Sequence, residues 1–127
     1  MPDFDLDAFF DEFSRVWNEH DLDGIAAQFT EDGVYEASSG PDASGKRGVG
    51  HEAIRRLAAE LFNQVPDLAF QDRFFHYSDG VAVVEGTQTG TWPDGTAFST
   101  GCVDILIFKD GKLAAKRAYR KDHSRGN

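Results

Sequence analysis

The sequence predicts an α+β fold: a cone-shaped, curved antiparallel sheet wrapped around three N-terminal helices. Three observations predict it. Helical periodicity dominates the first half of the chain. The second half consists of long β-rich runs joined at Asp79-Gly80, Asp94-Gly95 and Asp110-Gly111, each a hairpin signal. Helices followed by a run of hairpin-linked strands is an α+β order of elements.

Leu6, Phe9, Phe10, Phe13, Val16 and Trp17 follow the i, i+3, i+4, i+7 rhythm of an amphipathic helix. Asp3 or Asp5 can cap it, and it should end near Asn18-Glu19-His20. Asp21 caps a short second helix carrying Leu22, Ile25, Ala26 and Phe29, which Glu31-Asp32-Gly33 breaks. Residues 34–37 read as a short strand. Residues 38–50 form a loop rich in Gly, Ser and Pro, long enough to border a site. A third helix places Ile54, Leu57, Ala58, Leu61 and Phe62 on one side and stops before Pro66. Runs at about 68–77, 81–92, 96–108 and 112–119 then make an antiparallel meander. Long twisted strands curl. Helices on the concave side can close one end and leave a cavity at the other.

The 127 residues suit a single domain with one core. Hydrophobic residues make up 40% of them, with 11 phenylalanines, which excludes disorder. The net charge of −9 opposes binding to nucleic acid and to anionic membranes. No apolar run approaches the roughly 18 residues of a spanning helix. Met1-Pro2-Asp3-Phe4-Asp5 lacks the basic start of a signal peptide, and Cys102 has no internal disulfide partner. A cytoplasmic protein is expected. In Cys102-Val103-Asp104-Ile105-Leu106-Ile107-Phe108 both alternating faces are largely apolar. Val103, Ile105 and Ile107 therefore need a cover, and a second copy of the chain is the simplest one. A homodimer through the outer sheet face is expected.

Four segments carry a resemblance. They are Trp17-Asn18-Glu19-His20-Asp21-Leu22-Asp23, Phe29-Thr30-Glu31-Asp32-Gly33-Val34-Tyr35, Gly50-His51-Glu52-Ala53-Ile54, and Phe108-Lys109-Asp110-Gly111-Lys112-Leu113 followed by Ala118-Tyr119. In this order and spacing the chain resembles the nuclear-transport-factor-2-like superfamily, in particular its SnoaL-like polyketide cyclase and ketosteroid isomerase branches. The resemblance implies a conical sheet around helices, a dimer, and a pocket at the wide end. It does not name a reaction, since one fold hosts isomerases, cyclases, hydrolases and non-catalytic binders. The isomerase chemistry uses a base together with a tyrosine and a protonated aspartate. Carried over, the tyrosine position falls on Phe13, the base position on Ala37, and the aspartate on Asp104. Phenylalanine donates no hydrogen bond and alanine accepts no proton. Steroid isomerisation is disfavoured.

Asp104 stands among apolar residues, so its carboxyl must be paired, hydrogen-bonded or protonated. It is either an acid or base facing the pocket, or the partner of Arg73, Lys116 or Arg120. Of the two cations sharing a face of the last strand, Arg120 is read as polarising a ligand oxygen and Lys116 as lying in water. Candidate ligand-binding residues are Phe13, Trp17, Tyr35, Phe62, His76 and Cys102; Phe70, Trp92, Phe98 and Tyr119 are further possible lining residues, and ordinary core packing competes for each aromatic. A lone strand histidine such as His76 is more often structural than a base. His20 should cap or pack, while His51 and His123 are expected to be exposed. No metal-ligand spacing occurs, and no cofactor is expected.

Two functions fit these features: cofactor-independent proton-transfer chemistry on a small apolar or polyketide-like molecule, with Asp104 and Arg120 as the catalytic pair, or a binding module without chemistry. A pocket filled by its own side chains, in an interaction protein, is a third possibility.

Overall fold

Asp5 starts the first helix by accepting a hydrogen bond from the Ala8 amide at 3.0 Å. That cap and the apolar stripe behind it give α1 (Leu6–Asn18), whose Phe10, Phe13, Val16 and Trp17 are buried. The computed structural model describes residues 4–122. Asp3, the alternative cap, and His123 lie outside the described residues. Asp21 caps α2 (Leu22–Ala27) through the Gly24 amide at 3.0 Å.

Strand β1 (Phe29–Glu36) is longer than the expected 34–37 and begins where α2 was expected to continue. Leu113 donates to the Gln28 carbonyl at 2.8 Å, and Phe29 pairs with Leu113, so the final strand draws this stretch into the ladder. Strand β2 (Arg47–Val49) lies within the segment expected to be a loop and pairs antiparallel with β1. After α3 (His51–Gln64) come β3 (Ala69–Ser78), β4 (Val81–Thr91), β5 (Ala97–Lys109) and β6 (Lys112–Arg120). The sheet order is β2-β1-β6-β5-β4-β3, antiparallel except for β1 beside β6.

Asp79-Gly80 and Asp110-Gly111 have positive φ at both residues, as two-residue hairpin turns of the right twist demand. At the third hairpin only Gly95 does, and the Gly95 amide closes the turn on the Trp92 carbonyl at 2.8 Å. Bulges bend the sheet in β3, between Gln71 and Phe74, and in β6, where Ala114 is left out of the register. The helices fill the concave side. Phe13, Trp17, Ile25, Phe29, Ile54, Leu106 and Leu113 are wholly buried there. The convex side stays bare: Phe74 is 50% exposed, and Val81 and Val83 are each 38% exposed. No described helix is long and apolar enough to cross a membrane.

Candidate functional site

The concave face gathers Phe98, Thr100, Cys102, Asp104 and Leu106 from alternate positions of β5, with Lys116, Ala118 and Arg120 from β6. Lys116 is not in water. The bulge at Ala114 resets the alternation of β6, so Leu113 and Lys116, three apart, both turn inward. The Lys116 ammonium lies 3.4 Å from Asp104 Oδ1, with side-chain exposures of 4% and 11%. It also lies 4.2 Å from the Trp17 ring centroid and 4.6 Å from that of Tyr35. Tyr35 pairs with Lys116 across the parallel ladder, which brings ring and ammonium together. Burial, opposed by Asp104, lowers the Lys116 pKa from the ordinary lysine value. Burial, aided by Asp104, raises that of Tyr35.

Arg73 joins this group from β3. The bulge places Asp72 at φ 54° and turns Arg73 inward, where its guanidinium sits 4.2 Å from the Phe70 ring and 5.1 Å from that of Phe13. Gly86 makes room for it: a Cβ there would come within 2.8 Å of Arg73 Cγ and 2.9 Å of the Gln71 carbonyl.

An open cavity of about 700 Å³ lies at the wide end of the sheet. Its walls come from the C-terminal half of α3 (Leu57, Leu61), the β1–β2 connection and the β4–β5 turn (Trp92, Pro93). Tyr35 and Arg120 also line it. Arg120 lies 5.0 Å from the Trp92 ring, and both residues also line a neighbouring cavity of about 460 Å³. These two cavities are lined without Asp104.

The candidates therefore separate. Tyr35, Trp92 and Arg120 border the open cavity, while Cys102 borders a smaller depression with Arg120. Phe13, Trp17 and Phe62 are buried core and border neither of the two larger cavities, because Arg73, Lys116 and His20 pack on their rings. His76 is exposed on the convex side of β3, edge-on to Phe74, which removes it from the concave site. Tyr119 is 52% exposed on the same convex side, because its alternation in β6 is opposite to that of Arg120. His51 is half-buried rather than exposed, bonded to the Phe29 carbonyl at 3.0 Å. His20 stacks on Phe62 at 3.8 Å and bonds the Leu68 carbonyl at 2.8 Å. Among the described residues no group of three or more His, Cys, Asp or Glu side chains could hold a metal ion. Sequence reasoning gave Arg73 no more than a possible pairing role, since no local pattern marks a bulge before it forms.

Several solved structures share this architecture. A hypothetical protein with a ketosteroid isomerase-like fold from Catenulispora acidiphila DSM 44928, in complex with trimethylamine, superposes with a TM-score of 0.77 at 15% identity, over 87% of this chain and 83% of that one. A candidate polyketide cyclase from Xanthomonas campestris pv. campestris gives 0.76 at 16% identity, over 88% and 87%. TerC co-crystallised with polyporic acid gives 0.76 at 19% identity, over 90% and 89%. At these identities the likeness is one of fold. No curated protein sequence matches the chain. The family described as the SnoaL-like domain matches residues 10–116, and the chain belongs to that family.

Proposed function

We propose that the protein binds a small, largely apolar ligand in the wide-end cavity, with an acceptor oxygen of the ligand held by Tyr35 and Arg120. One observation carries this reading: a neutral donor and a cation border the same cavity, whose other walls include Leu57, Leu61 and Trp92. Burial keeps the Tyr35 phenol protonated and therefore a donor. Related folds crystallised with trimethylamine and with polyporic acid support a small molecule as the ligand. The fold likeness to a candidate polyketide cyclase supports a polyketide-like one.

Binding is favoured over cofactor-free proton transfer. Ala37 lines the cavity and offers no base, the lining carboxylate Glu60 is held by Lys46 at 2.7 Å, and Phe13 is buried in the core. Proton transfer is the second reading, favoured by one contact: Tyr35 borders the cavity and also packs against the ammonium paired with Asp104. Titration of tryptophan fluorescence with 2-acetonaphthone, a flat ketone, tests the reading. Saturable binding is expected, weakened about tenfold in Arg120→Met by loss of a charge-assisted hydrogen bond. Equal affinity in wild type and Arg120→Met overturns it. Conversion of a bound ketone that stops in Asp104→Asn would establish the catalytic reading instead.

A further inference from the structure

Two inward cations face one carboxylate on the concave sheet. Asp104 is committed to Lys116 at 3.4 Å. Arg73 has no salt-bridge partner among the described residues, and its Nη1 is buried without a hydrogen-bond partner. An unneutralised cation held out of water is costly, and a buried guanidinium edge without an acceptor adds to that cost. The chain nevertheless shapes its backbone around this side chain, with a left-handed residue at Asp72 before it and a glycine at position 86 beneath it. The guanidinium lies over the rings of Phe70 and Phe13, and a phenyl ring supplies no lone-pair acceptor for its N–H groups.

We propose that Arg73 is the receptor for a small aromatic carboxylate, which bonds its free guanidinium edge beside the Asp104–Lys116 pair. The carboxylate supplies the missing negative charge. The ligand's ring meets Phe70, the partly exposed ring beside the guanidinium. Arg73, Phe70 and Cys102 are the cluster's partly exposed members, and the ligand would enter from that side. The burial that lowers the Arg73 pKa from the ordinary arginine value leaves it charged, since arginine does not deprotonate in proteins. Arg73 does not line the wide-end cavity, so this site stands or falls separately from the ketone site.

The test is thermal unfolding with sodium benzoate against benzamide at constant ionic strength, in wild type, Arg73→Met and Arg120→Met. Benzoate should raise the Tm saturably in wild type and in Arg120→Met, whereas benzamide should not. Arg73→Met should lose benzoate affinity about tenfold or more. In wild-type protein the NMR signal of the Arg73 Nε–H should shift with benzoate, which keeps the test intact should Arg73→Met not fold. The proposal is overturned if benzoate gives no saturable stabilisation, if Arg73→Met responds like wild type, or if only Arg120→Met loses the response.

Discussion

Replacing Lys116 by methionine removes one half of a buried ion pair and keeps most of the side chain's bulk. At the observed 3.4 Å the Coulomb attraction is about 5 kcal/mol for an effective dielectric constant of 20. Side-chain exposures of 4% and 11% leave little water to screen it. Much of that attraction offsets the desolvation of both charges, so the intact pair contributes little net stability. The single substitution behaves differently, because it strands Asp104 without a contact partner. Such losses cost about 3–5 kcal/mol. Arg73 acts on the same carboxylate from further off, which places the expectation near 3 kcal/mol at the lower end of that range. Asp104→Asn combined with Lys116→Met should restore most of it, so that the double variant costs at least about 2 kcal/mol less than the two single substitutions added together. Urea unfolding followed by tryptophan fluorescence measures both quantities. With a slope of about 2 kcal/mol per molar, the Lys116→Met midpoint should fall by about 1.5 M. A loss under about 1 kcal/mol, or single effects that simply add in the double variant, would refute the claim that the pair is tight and dry.

Alkaline titration reports on Tyr35. Absorbance at 295 nm should show one of the three tyrosines, Tyr35, ionising above the ordinary phenol range because burial disfavours its charged form. The unfolded chain releases that phenolic proton near pH 10 while the folded chain keeps it. Stability should therefore fall above about pH 10, and less steeply in Tyr35→Phe; identical slopes would sink this assignment. The bare convex face, with Phe74, Val81 and Val83 beside Ile105 and Ile107, should pair two copies of the chain. Sedimentation should find a dimer in wild type and a monomer in Val83→Asp, and a wild-type monomer at high concentration would contradict the pairing.

Local chemistry wrote the elements that local chemistry controls. The apolar rhythm and Asp5 cap marked α1, and the Asp-Gly pairs marked all three hairpins, because helix period and turn preference act within a few residues. The sequence offered Tyr35 as a ligand-binding residue and Arg120 as a catalytic one; in the fold the two border one cavity. It left the partner of Asp104 open among Arg73, Lys116 and Arg120, and only the folded sheet chose Lys116. It also left the rings of Phe13, Trp17 and Phe62 open between cavity lining and core, and the fold buries them. Strand β2 exists because residues 34–36 of β1 are gripped on both sides, by β2 and by β6, while β1 starts early because Phe29 pairs with Leu113 of β6. Period-2 alternation tells which face a residue takes only while the ladder is unbroken. The bulges before Arg73 and at Ala114 reset that count, and it is these two resets, set by how β3 pairs with β4 and β5 with β6, that turned Arg73 and Lys116 inward.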